Sequence, residues 1–237
     1  MQNLFANHSI FKRLHNAYLQ GLAVMVPPGC ISCDELFAFD QPPALCGTCW
    51  QQVIFRTLKS PQPPLGGYFE NFYAPFEYEG KVVELISRFK FYNQTEMAAP
   101  LARYMARHME EGGFDAGKSV IVPVPLHSRR LWRRKYNQAA LLGKELAKCM
   151  GLACQPLAIK RVKNTPRQLG SSAAARRRQM AGAFQVSGDV TDKDILLVDD
   201  VWTTGSTAKA CATALKKAGA KRVNIVTLAY VSPTVNF

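Results

Sequence analysis

No stretch of this 237-residue chain approaches the ~18 consecutive apolar residues of a membrane-spanning helix. The opening segment, MQNLFANHSIFKRLHNAY, carries His, Lys and Arg inside its apolar stretch and has no small-residue cleavage site. That argues against a secretory signal and for a cytoplasmic protein. There is no internal repeat and no low-complexity tract. Neither G-x-x-x-x-G-K-[ST] nor G-x-G-x-x-G occurs, so an ATPase-type phosphate loop is not supported. Seven cysteines, an odd number, do not make a disulfide framework. Histidine is scarce, at four residues: His8, His15 and His108 have no chemical company, and His127 reads as structural. Acid is scarcest where base is densest. Residues 115–188 hold 15 Lys/Arg and 2 Asp/Glu, so the whole net charge of +13 lies there. Such crowding is costly unless an anion meets it, and phosphate or nucleic acid is the natural candidate.

What is present is globular. A hydrophobic fraction of 48% and a charged fraction of 20% exclude global disorder, collagen and coiled coil. The length allows one full domain and a small module. Residues 1–26 read as an N-terminal amphipathic helix, 27–60 as a metal-binding module and 61–237 as the main domain, entered through the linker SPQPPLGG. Residues 68–78 suggest one or two strands. Helices are expected over 81–91, 95–110, 136–150 and 207–218, and strands over 119–124, 194–198 and 222–231. Alternating helix and strand predicts an α/β fold, a mostly parallel sheet flanked by helices on both faces.

Cys30-x-x-Cys33 and Cys46-x-x-Cys49 stand twelve residues apart. Two residues between thiolates let both sulfurs reach one ion from a tight turn. Four thiolates and no histidine imply a closed, structural Zn2+ site, a zinc-ribbon-like module whose metal replaces the core that so short a segment cannot build. Two redox pairs or buried cysteines are the alternatives.

The sharpest feature is the run from Ile195 to Thr207, ILLVDDVWTTGST. It is a buried strand, two carboxylates at its end, a polar glycine turn, then a helix. Ligands in open α/β sheets bind outside the carboxyl ends of strands. Turn amides and a helix N-terminus there make an anion site. Hydroxyls of Thr203, Thr204, Ser206 and Thr207 add donors, and Gly205 lets a phosphate approach the backbone. Asp199 and Asp200 would repel a bare phosphate. They suit a ligand with vicinal hydroxyls or a divalent cation, such as a sugar phosphate with Mg2+. Helix capping alone explains one of the acids, not both.

This run resembles the phosphoribosyl pyrophosphate motif of type I phosphoribosyltransferases. Further stretches narrow the resemblance: Ile121-Val122-Pro123-Val124-Pro125-Leu126-His127, the arginines Arg129, Arg130, Arg133 and Arg134 with Tyr136-Asn137-Gln138, and Arg161, Thr165, Gln168, Arg176 and Gly182-Ala183-Phe184. With the cysteine quartet and Lys90-Phe91, the chain from residue 27 is similar to the ComF family, which pairs a small zinc domain with a phosphoribosyltransferase domain and is linked to natural competence. Lys135 departs from the family, which often has Gly there. Ser171, Ala175 and Gln179 also depart from the usual Leu, Glu and Asn.

The resemblance implies a type I phosphoribosyltransferase-like parallel sheet. It implies that Asp199 and Asp200 hold the ribose hydroxyls and support Mg2+, while Thr203, Thr204, Gly205, Ser206 and Thr207 cradle the 5′-phosphate. Arg129 is placed to meet pyrophosphate oxygens, and Arg161 and Gln168 to sit on a loop that closes over the ligand. Arg130, Arg133, Arg134, Arg176, Arg177 and Arg178 read as a single-stranded DNA patch. Trp50, Trp132 and Trp202 are candidates to stack on bases, with core or rim packing favoured for Trp50. Three functions compete: a phosphoribosyl pyrophosphate- and single-stranded DNA-binding protein of DNA uptake, an active phosphoribosyltransferase on an unidentified nucleobase or amine, and a zinc-dependent adaptor for a partner in the competence machinery.

Overall fold

The computed structural model describes residues 29–36, 45–60, 62–163 and 182–232, divided into two units, Met1–Trp50 and Gln51–Phe237. The helix expected over 1–26 lies outside the described residues. In the first unit Gly29 and Leu36 form an antiparallel bridge. Between them the chain turns tightly, with Asp34 N–H donating to the Cys30 carbonyl at 3.0 Å. Helix α1 (Gly47–Gln51) opens inside the second cysteine pair.

The second unit runs β1 (Phe72–Tyr73), β2 (Phe76–Glu77), α2 (Lys81–Phe91), a 3-10 turn (Thr95–Met97), α3 (Ala98–Glu111), β3 (Val120–Pro123), α4 (Ser128–Arg134), α5 (Gln138–Met150), β4 (Ala153–Cys154), β5 (Ile159–Arg161), β6 (Phe184–Val186), β7 (Asp194–Trp202), α6 (Ser206–Lys217) and β8 (Arg222–Tyr230). The main sheet has the order β1-β8-β7-β3-β4, with β2 also on β8. Every pairing in it is parallel. β5 and β6 form a separate antiparallel pair.

Burial on both faces explains the apolar run Ile195–Val198 of β7 and the burial of β8 from Val223 to Tyr230. Ile195 and Leu197 of β7, with Val120 and Val122 of β3 and Val223 and Ile225 of β8, share a core with Ala208, Cys211, Ala212 and Leu215 of α6. Leu196 and Val198 alternate to the opposite face, where α5 packs on β3 and β7 and against α3. The expected order of helices and strands is present. The strand expected over 194–198 is longer, however, because β8 keeps pairing with β7 through Asp199↔Thr227, Val201↔Ala229 and Trp202↔Tyr230. Asp199 is therefore part of the ladder, and Asp200 lies within the same strand. Among the described residues, no helix is long and apolar enough to cross a membrane.

Candidate functional site

The carboxyl ends of β3 and β7 lie side by side. Pro123 is in register with Val198, and Val124 N–H donates to the Val198 carbonyl at 2.8 Å. From β3 the chain passes through Pro125 and Leu126 into α4, whose first turn is capped by His127: its Nδ1 accepts the Arg129 N–H at 3.3 Å. Arg129 is exposed there and Arg130 half-buried. From β7 the chain passes through Thr203 and Thr204, both exposed, to Gly205 and α6. One sheet end thus brings together Asp199, Asp200, the hydroxyl turn and the start of α4.

The acids are unequal. Asp199 Oδ1 accepts the Asp200 N–H at 2.9 Å. Asp199 is closed in by protein, and this desolvation, with the neighbouring charge of Asp200, pushes its carboxyl up to about 7 against the pull of Lys90 and Arg161. Asp200 has a direct partner, Lys90, whose Nζ lies 3.0 Å from Oδ2. A desolvated acid pair that needs positive charge, beside hydroxyls that can meet a ligand, fits a divalent cation carried by a sugar phosphate.

The turn is shaped from behind. Gly205 has φ +67°, the left-handed region, and a Cβ there would lie 2.2 Å from the Trp202 ring. The Trp202 indole is buried, edge-on to Phe69 and Phe72 at 5.7 and 5.1 Å between ring centroids. Lys209 N–H donates to the Gly205 carbonyl at 2.8 Å and opens α6. Thr204 and Ser206 hydroxyls are 2.9 Å apart. The base-stacking role considered for Trp202 is excluded by this burial. Trp132 is 88% exposed, and Trp50, expected to pack, is 41% exposed.

Arg161 ends β5 and is not on a loop. Its guanidinium lies 5.6 Å over the Phe184 ring. Burial holds it below the usual arginine range, against the fields of Cys211 and Asp199. Arg134 lies 5.1 Å over the exposed Phe91 ring and donates to Gln138 Oε1 at 3.2 Å, so its guanidinium already has contacts within the chain. Arg133 is carried by α4. Gln168, Arg176, Arg177 and Arg178 lie outside the described residues.

In the first unit the sulfurs of Cys30, Cys33, Cys46 and Cys49 all lie within 4.8 Å of one another and could hold one metal ion. A tetrahedral ion with ~2.3 Å metal–sulfur bonds puts its sulfurs about 3.8 Å apart; Cys33 and Cys46 are at 3.7 Å. Amides of Cys46 and Ser32 donate to Cys30 Sγ at 3.3 and 3.4 Å. Burial alone would raise the Cys30 thiol; the backbone N–H groups outweigh it and bring it down to about 7, whereas Cys46, bonded to Glu35, and Cys49, held by burial, are pushed up without a metal.

Lys90 and the backing by Trp202 are what reading residues in isolation missed. In the sequence Lys90 stands out through the family resemblance it shares with Phe91 and through its place one residue past Phe89, the last buried residue of amphipathic α2; its pairing with Asp200 carries no signal there.

A family model described as the phosphoribosyl transferase domain matches residues 90–234. The chain is 34% identical over 187 residues to DNA utilization protein YhgH of Salmonella typhimurium, covering 78% of this chain and 77% of that protein. It is 38% identical over 151 residues to competence protein F of Haemophilus influenzae, covering 61% and 66%. Among solved structures, a hypoxanthine phosphoribosyltransferase from Staphylococcus aureus aligns over 60% of this chain and 69% of that one, with 17% identity and a TM-score of 0.37.

Proposed function

The chain belongs to the phosphoribosyl transferase domain family, in the group that includes DNA utilization protein YhgH and competence protein F, and on that premise we propose that it binds phosphoribosyl pyrophosphate with Mg2+ and handles single-stranded DNA in DNA uptake. The observation that carries this reading is the acid pair at the end of β7, followed by a hydroxyl turn seated on Trp202. Asp199 and Asp200 accept the ribose hydroxyls and support the cation. Thr203, Thr204, Ser206 and Thr207 donate to the 5′-phosphate with the first amides of α6. Arg129 offers its fork to the pyrophosphate, and Arg161, whose field reaches Asp199, adds positive charge beside the acid pair. Mg2+ supplies the charge that the pyrophosphate needs neutralised. Zn2+ on the four cysteines has a structural role.

The DNA arm rests on the basic segment. Arg130, Arg133 and Arg134 come from α4, and Arg176, Arg177 and Arg178 continue the same excess of charge.

Calorimetry tests the first arm. Phosphoribosyl pyrophosphate with Mg2+ should bind the wild type, and the Asp199→Asn, Asp200→Asn double variant should lose that binding; unchanged binding refutes the site. Fluorescence anisotropy tests the second. Single-stranded DNA affinity should fall with salt along a log–log slope steeper than about −2, because each phosphate contact releases counterions. A flat slope removes the electrostatic argument.

A further inference from the structure

Lys90 and Asp200, far apart in sequence, meet with their side chains only 13% and 18% exposed. Lys90 comes from the last turn of α2, where helix carbonyls lack intrahelical partners. Those carbonyls are claimed by the segment after α4. The Tyr136 hydroxyl donates to the Phe89 carbonyl at 2.5 Å, and Gln138 Nε2 donates to the Lys90 carbonyl at 3.3 Å. Arg134, bonded to the same Gln138, covers the Phe91 ring. Between them, Asn137 Oδ1 accepts the Ala139 N–H to cap α5, while its Nδ2 donates to the Val124 carbonyl at 3.0 Å. Tyr136-Asn137-Gln138 is therefore a clasp. It fixes the end of α2 and the end of β3 to α5, and so holds the Lys90 stem where its ammonium reaches Asp200.

An ammonium this desolvated is sustained by an anion, and the anion it uses is one of the two carboxylates assigned above to the cation. We propose that Lys90 is the resident counter-ion of the acid pair: without ligand it balances Asp200, and a divalent cation must displace it to reach that carboxylate. The inference rests on the sugar-phosphate reading and deepens it. A bare metal ion has to evict an ammonium that then has no partner. A metal ion that arrives with a pyrophosphate brings the evicted ammonium a new anion. Metal therefore enters with the sugar donor rather than before it.

The test is Mn2+ binding to the full chain in the absence of any sugar phosphate, read from the electron paramagnetic resonance signal of the free ion. Wild type should bind weakly. Lys90→Met should tighten binding by about tenfold, the scale expected when an opposing charge leaves a carboxylate. Lys90→Arg should behave as wild type, and Asp200→Asn added to Lys90→Met should abolish the gain. Equal or weaker Mn2+ binding by Lys90→Met overturns the proposal. Should that variant fail to fold by circular dichroism, Tyr136→Phe decides, since it loosens the clasp and keeps the lysine. Tighter Mn2+ binding there supports the proposal, and unchanged binding overturns it. Calorimetry of wild type with phosphoribosyl pyrophosphate separates the two readings: its failure removes the sugar-phosphate site, while the Mn2+ difference stands or falls by itself.

Discussion

The cysteine cluster and the β7–α6 turn are the two places proposed above to take a charged guest, but only one of them is built on a finished core. Around the cysteines, the buried apolar residues among those described up to Trp50 are Cys30, Ile31, Leu45, Cys46 and Cys49. Three of these five are the ligands themselves. Behind the turn stands a full sheet with both faces covered, and an indole locked between two phenylalanines. On the proposed reading a metal ion completes the first region, whereas the second is packed whether or not a ligand is bound.

Removing the guest from the first region gives the largest effect. Cys46→Ser, or a chelator, should release one metal ion per chain and remove on the order of 10 kcal/mol of ion-linked folding energy. Metal analysis and limited proteolysis would show residues 29–50 becoming cleavable while the sheet unit melts as before. Joint melting of the two units would erase the contrast.

Altering the scaffold of the second region gives the next effect. Gly205→Ala places a methyl against the Trp202 ring and asks a non-glycine residue to hold φ +67°. Overpacking and left-handed strain together should cost roughly 2–5 kcal/mol. Thermal melting should drop by several degrees and phosphoribosyl pyrophosphate binding should be lost. A variant as stable as wild type would mean that the turn is soft.

The smallest effect sharpens the contrast through pH. The Asp199 carboxyl is raised to about 7 by burial and by Asp200, above its unfolded value of about 3.9. The native state therefore holds a proton that the unfolded chain has released. Its contribution to stability is full below about pH 4 and is lost as pH rises through about 7. Denaturation of the ligand-free protein should show stability falling across that window by on the order of a few kcal/mol, and Asp199→Asn should flatten the slope. An unchanged slope in that variant would assign the strain to another group.

Much of this was legible in the residues. Long apolar strands and helices with buried positions three and four apart, such as Val82, Leu85, Ile86 and Phe89 in α2, stand where their periodicity puts them. β4, β5 and β6 escaped, because two or three residues carry no period. Asp199, Asp200 and the hydroxyl turn were readable because one contiguous run holds strand, acids, glycine and helix. The Lys90–Asp200 pair was not, since it depends on how the end of α2 is clamped across the sheet. Lys135 became intelligible only with its backbone: it sits at φ +66°, the left-handed region that favours glycine, and a side chain there carries about 1–2 kcal/mol of strain.

Trp202 has one more consequence. Its ring fills the space beneath Gly205, so the loop cannot recede to admit a longer guest, and β8 pins the carboxylates at the other end. The span between them is set before anything arrives. A molecule one bond shorter or longer between hydroxyls and phosphate would have to give up contact at one end. On the proposed sugar-phosphate reading the indole is a gauge of length, acting from beneath the turn.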